Sequence, residues 1–263
     1  MAEDRRGKFV WHELMTTDPG AAKKFYTDVI GWNTAPFEGA AGMDYTMWLK
    51  GKSQDTAVGG LMELPDEARK EGVPPHWLGY VAVPDVDATA KRAEKLGGRI
   101  VHGPADIPEV GRFAILADPQ GAVLAAFKGT QEMPREDKEP EVGDVSWNEL
   151  ATTDHEGAFD FYSDLFGWEK QQAMDMGEAG VYQMYGLGEK MLGGMYNKSD
   201  DQPFPSAWLY YVSIGDLDAS VKKVKKDGGK ILVEPMEVPG GSRIAVGVDP
   251  QGAAFGLHER AAS

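Results

Sequence analysis

The chain has 263 residues, is 42% hydrophobic and 10% aromatic, contains no cysteine and carries a formal net charge of -15. This composition is globular, and the length suits two domains of ordinary size. It excludes disulfides, thiolate nucleophiles and thiolate metal sites, and argues against nucleic acid as a partner, because phosphate recognition needs clustered Lys and Arg.

The acidity is uneven: residues 1–130 hold 18 acids and 15 bases, net -3, and residues 131–263 hold 24 and 12, net -12. A solvated, solubilising surface is the plain reading, and steering of a cationic ligand is the alternative. No apolar run has the length of a signal peptide or a membrane span, so a cytoplasmic protein with no membrane partner is expected.

The first predicted strand, Phe9-Val10-Trp11-His12-Glu13-Leu14-Met15-Thr16, ends at Thr17-Asp18. Asp18 is placed to cap a helix that opens on Pro19, with Ala22, Phe25, Tyr26 and Val29 as its apolar stripe and Gly31 beyond its end. A short run, Tyr45-Thr46-Met47-Trp48-Leu49, reads as a strand, and Gly59-Gly60 reads as a bend between strands. After the polar break at residues 64–75 the device recurs. Leu78 to Val83 is a strand, Asp85 the cap, Val86, Ala90, Ala93 and Leu96 the stripe, and Gly97-Gly98 the stop. Arg112 to Leu116 and Ala122 to Phe127 follow as strands, separated by Asp118-Pro119-Gln120-Gly121.

The chain then repeats itself. Val145-Ser146-Trp147-Asn148-Glu149-Leu150-Ala151-Thr152-Thr153-Asp154 restates the opening 136 positions later, as do Phe161-Tyr162 and Gly167-Trp168, and Asp249-Pro250-Gln251-Gly252 restates its counterpart 131 positions later. Gly193-Gly194 answers Gly59-Gly60, and Asp216, Leu217, Val221, Val224 and Gly228-Gly229 answer the second helix. A duplication follows, with a first domain over 1–129, a charged, proline-bounded linker over 130–142 and a second domain over 143–263.

These motifs together resemble the vicinal oxygen chelate superfamily, which holds glyoxalases, bleomycin-resistance proteins, fosfomycin-resistance enzymes and extradiol dioxygenases. The likeness is closest to two-domain bacterial proteins described as glyoxalase-related. It implies an α+β tandem glyoxalase/bleomycin-resistance fold, in which four βαβββ modules form two cup-shaped sheets. It also implies His, Gln or Glu at a few inward-facing strand positions of the metal-dependent members. Here those positions hold Trp11 and Trp147, Leu78 and Leu209, and Ala125 and Gly256. None is an imidazole or carboxylate donor, so no metal ligand and no cofactor is assigned, although a divalent metal is what the family would supply. The remaining histidines are separate matters: strand alternation turns His12 away from Trp11, His76 lies near the rim, and His258 faces the cup as a ligand contact.

Trp11 with Glu13 and Trp147 with Glu149 share the cup face of their strands. A carboxylate beside an indole in an apolar setting suits a general base, so Glu13 and Glu149 are the candidate catalytic groups. The same pairs suit a cationic or aromatic ligand, with Arg112 and Arg243 as further ligand contacts, and the structural alternative pairs each Glu with Arg112 or Arg243. Tyr80, Tyr211, Tyr45 and Tyr182 are candidate wall residues. Met174, Met176, Met184, Met191 and Met195 read as core filling or as an adaptable pocket or interface. Two functions follow: binding of a small organic molecule in an aromatic-lined cup, as the bleomycin-resistance relatives do without chemistry, or a lactoylglutathione-lyase-like lyase or isomerase acting on a small carbonyl compound. The expected partner is a small-molecule ligand, and pairing as a homodimer is left open.

Overall fold

The structure, a computed structural model, describes residues 6–37, 44–131, 138–199 and 201–261. Positions 132–137 of the expected linker lie outside the described residues. In the first half the elements run β1 (Phe9–Thr16), α1 (Pro19–Val29), β2 (Asn33–Pro36), β3 (Tyr45–Leu49), β4 (Ala57–Glu63), a short α2 (Asp66–Lys70), β5 (His76–Ala82), α3 (Val86–Lys95), β6 (Arg99–Ile107), β7 (Gly111–Ala117) and β8 (Val123–Gly129). The second half repeats them as β9 (Val145–Thr152), α4 (His155–Phe166), β10 (Glu169–Asp175), β11 (Val181–Leu187), β12 (Lys190–Asn197), β13 (Ala207–Ile214), α5 (Leu217–Lys226), β14 (Lys230–Glu237), β15 (Arg243–Val248) and β16 (Ala254–Glu259). Each half forms one eight-stranded mixed sheet, ordered β2-β3-β4-β1-β5-β8-β7-β6 and β10-β11-β12-β9-β13-β16-β15-β14. The fold is α+β, two tandem glyoxalase-type halves. Among the described residues no helix is long and apolar enough to cross a membrane.

The helices start where the aspartates dictate. Asp18, Asp85, Asp154 and Asp216 each accept the backbone N–H three residues on, at 2.9, 2.9, 3.0 and 2.8 Å. Each cap is worth on the order of 1 kcal/mol. The stripes are buried as the 3.6-residue period requires: Ala22, Phe25, Tyr26 and Val29 on α1, and Leu217, Val221 and Val224 on α5. Gly167 ends α4 in the left-handed region at φ 76°, which glycine adopts without a Cβ penalty.

By contacts the chain divides into two compact units, and each draws on both halves. One comprises the described residues of 1–10, 78–136 and 147–208; the other comprises those of 11–77, 137–146 and 209–263. Within the second of these, α1 packs on α5, and Tyr26 is the knot. Its ring lies 5.7 Å from that of Trp48, 5.3 Å from Trp77 and 5.5 Å from Phe255. Trp77 Nε1 donates to the Tyr26 hydroxyl at 3.0 Å, and that hydroxyl donates to Asp249 Oδ2 at 3.1 Å. Asp249 Oδ1 meanwhile accepts the N–H groups of Gln251, Gly252 and Ala253. The other unit builds the same knot from Trp208, Tyr162 and Asp118, at 3.1 and 2.9 Å. So the repeated Phe-Tyr and Asp-Pro-Gln-Gly motifs serve each other, a helix of one half holding the turn of the other. The Gly-Trp motifs also have a fixed purpose: Trp32 Nε1 donates to Gly143 O at 2.9 Å, and Trp168 Nε1 to Gly7 O at 2.7 Å.

Candidate functional site

Strand alternation divides β1 into two faces. His12, Leu14 and Thr16 look toward the helix side. His12 is buried there, its ring edge-on to Tyr210 at 4.9 Å, as the alternation predicts. Trp11, Glu13 and Met15 occupy the opposite face. The register sets Glu13 beside Gly60 of β4 and Gly60 beside Met47 of β3, while Met15, Met62 and Tyr45 form the next row.

From that next row Tyr45 leans back across Gly60. Trp11 Nε1 donates to the Tyr45 hydroxyl at 2.8 Å, and the hydroxyl in turn hydrogen-bonds Glu13. The second half repeats this: Trp147 Nε1 donates to Tyr182 Oη at 2.7 Å, and Tyr182 Oη donates to Glu149 Oε2 at 2.8 Å. Burial first, and then the charge of Glu13 or Glu149, holds the Tyr45 and Tyr182 hydroxyls well above the usual tyrosine range. Each phenol therefore stays a donor at neutral pH, and each carboxylate is held in place by it.

Glycine makes these rows buildable. A Cβ on Gly60 would overlap the Tyr45 hydroxyl, and one on Gly194 would overlap the Tyr182 ring. The neighbouring Gly59 and Gly193 sit against the carbonyl oxygens of His12 and Asn148. The expectation of bends is thus corrected. Both Gly-Gly pairs lie inside strands β4 and β12, where the missing side chains admit a tyrosine on one face and a close backbone on the other.

The other expected site residues are placed as follows. Tyr80 pairs in register with Ala125, is buried, and packs edge-on to Phe127 at 6.1 Å. Tyr211 pairs with Gly256, and a Cβ on Gly256 would run into the Tyr211 ring. A tyrosine therefore stands beside each position where the family would place its last carboxylate, Tyr80 next to Ala125 and Tyr211 against Gly256. Neither arginine needs a glutamate from β1 or β9. Arg112 forks onto Asp87 and reaches Asp106 at 2.8 Å, and Arg243 forks onto Asp218 and reaches Glu259 at 3.1 Å. His258 Nδ1 lies 2.8 Å from Ser146 Oγ, and burial, followed by the charge of Arg260, lowers its pKa. His76 Nδ1 lies 2.8 Å from Pro74 O. Met195 is fully buried, whereas Met191 is half exposed. Met15 shares the Glu13 face, as strand alternation implies, and the structure adds Tyr196, Met47 and Met62 to the faces around the two glutamates. Their signal was the strand register, which the sequence does not display.

The family model described as "Glyoxalase/Bleomycin resistance protein/Dioxygenase superfamily" matches residues 8–125 and 145–257. The chain belongs to that superfamily. CFP32 of Mycobacterium tuberculosis (strain CDC 1551 / Oshkosh), described as a candidate glyoxylase, is 33% identical over 97% of this chain and 96% of its own length. The anthracycline biosynthesis protein DnrV of Streptomyces peucetius is 30% identical over 96% of this chain and 93% of its own length. Among solved structures, the Mn(II)-bound glyoxalase from Novosphingobium aromaticivorans superposes with a TM-score of 0.60 at 16% identity, covering 98% of this chain and 83% of that one. Homoprotocatechuate 2,3-dioxygenase from Brevibacterium fuscum gives 0.66 at 14%, covering 100% and 84%. At these identities the likeness is one of fold.

Superfamily relatives of the glyoxalase and dioxygenase kind imply a divalent metal, and the residues at the six expected ligand positions do not fit one. Trp11 and Trp147 have no lone pair to give and spend their N–H groups on tyrosines. Leu78, Leu209, Ala125 and Gly256 offer only hydrocarbon or backbone. Hard divalent ions take carboxylate, imidazole or carbonyl ligands.

Proposed function

We propose that this chain binds a flat, aromatic small molecule without a metal, and that Glu13 and Glu149 are the polar anchors of its two sites. The observation that supports this most is the duplicated Trp–Tyr–Glu relay, which stands where the family's first ligand would be. An indole and a phenol offer faces for stacking, and a carboxylate fixed by the phenol accepts a hydrogen bond from the ligand or attracts its positive charge. A relative named for anthracycline biosynthesis points the same way, since polycyclic aromatic rings are what such a wall would stack on. The test is calorimetric titration with naphthol and with quinizarin. Wild type is expected to bind two equivalents, and the double variant Glu13→Gln/Glu149→Gln neither. Unchanged binding by the double variant would remove the glutamates from the site.

The second reading is a lyase or isomerase acting on a small carbonyl compound, with Glu13 or Glu149 as general base. It is favoured by the candidate glyoxylase among the relatives and by the relay hydroxyls, each of which orients its carboxylate as a proton acceptor. Formation of lactoylglutathione from methylglyoxal and glutathione would support it, provided Glu13→Gln and Glu149→Gln each lower the rate.

A further inference from the structure

The duplication provides an internal control, because the two relays have different neighbours. Beside Glu13 the flanking row holds Met15 and Met62. In the repeat the equivalent row holds Ala151 and Tyr196. The change replaces two thioether chains by a methyl group and a phenol. Glu13 is only 5% exposed, and Met15 and Met47 are buried with it, while Glu149, Tyr182 and Tyr196 are all half-buried. The Tyr196 ring stacks on Tyr182 at 6.0 Å and 20°, which holds it flat beside the relay.

Its hydroxyl makes no hydrogen bond among the described residues, although it is close enough to Glu149 to feel the carboxylate's charge. Burial and that charge raise the Tyr196 pKa to about 12, so the group is a protonated donor at neutral pH. Tyr182 has already committed its own proton to Glu149. Tyr196 has not.

We infer that Tyr196 is a specificity-determining residue, which makes the Glu149 site select hydroxyaryl ligands over their apolar isosteres more strongly than the Glu13 site does. A phenolic O–H would donate to the Glu149 carboxylate, which has capacity for about four hydrogen bonds, while its oxygen accepts from Tyr196. At Glu13 the thioethers of Met15 and Met62 offer no second donor, so the same ligand is held at one polar point. The inference rests on the binding reading above and refines it.

The experiment titrates naphthol and its isostere methylnaphthalene into wild type, Tyr196→Phe and Met62→Tyr by calorimetry. Wild type should show two naphthol sites about tenfold apart in affinity, the effect of about one net hydrogen bond. Tyr196→Phe should weaken the tighter site about tenfold for naphthol and leave methylnaphthalene unchanged. Met62→Tyr should tighten the weaker site. Two equal naphthol sites in wild type would overturn the inference and leave the binding reading standing, as would a Tyr196→Phe effect equal for both probes. Failure of both probes to bind wild type would overturn the two together.

Discussion

Tyr182 Oη donates to Glu149 Oε2 at 2.8 Å while accepting from Trp147 Nε1 at 2.7 Å, and Tyr45 stands in the same relation to Glu13 and Trp11. Two copies of one chain segment have thus kept a three-residue relay on a strand face where their superfamily is expected to carry metal ligands. At that position the relay supplies hydrogen bonds in place of ligand donors.

The buried phenols make a prediction about alkali. Tyr26, Tyr45 and Tyr182 are held well above the usual value of about 10, chiefly by burial and then by a neighbouring carboxylate. A folded pKa raised above the unfolded one gives stability that is complete below about pH 10 and lost as pH rises further. Ultraviolet titration of the nine tyrosines should therefore show at least these three ionising only with unfolding, and denaturant midpoints should fall above pH 10. A reversible titration of all nine near pH 10 in the folded protein would contradict the burial.

Gly60 and Gly194 should tolerate no side chain while the tyrosines remain. Gly60→Ala and Gly194→Ala are each expected to destabilise by about 1–3 kcal/mol, the cost of forcing atoms into filled space. In a Tyr45→Ala background, Gly60→Ala should be nearly neutral, because the clash is with that ring. Urea denaturation of the four proteins completes the cycle, and strict additivity would count against the contact.

The inter-half knots predict stability effects remote from the relays. Tyr26→Phe leaves the Asp249 carboxylate and the Trp77 N–H each short of a partner, and Tyr162→Phe does the same to Asp118 and Trp208. Each should cost about 1–3 kcal/mol, with affinity for ligand unchanged. Equilibrium unfolding and calorimetry on the same samples separate the two effects.

Arg112 and Arg243, expected to touch ligand or to pair with Glu13 or Glu149, form ion pairs with aspartates and with Glu259. Arg112→Ala and Arg243→Ala should leave naphthol affinity at the wild-type value. A tenfold loss in either would return that arginine to the site.

Much of this is legible in the sequence. The repeats, the four capping aspartates and the buried stripes are local patterns, set by turn chemistry and by the helical period, and sequence displays such patterns directly. The face shared by Trp11 and Glu13 follows from the two-residue period of a strand. What stayed hidden depends on register between strands distant in sequence. Gly59-Gly60 looks like a bend unless it is known that Gly60 lies opposite Glu13 and beneath Tyr45. Met62 and Tyr196 became visible as a pair only once the rows were aligned. The Tyr26–Asp249 contact, 223 residues apart, is set by tertiary packing alone.

The most direct measurement of the central claim is naphthol affinity before and after exhaustive chelation, on protein purified without a histidine tag and assayed for metal by elemental mass spectrometry. Metal-independent binding anchored on the relays predicts equal affinity in the two preparations and its loss in Glu13→Gln/Glu149→Gln. A stoichiometric divalent metal, with binding abolished by its removal and restored by its return, would contradict the account.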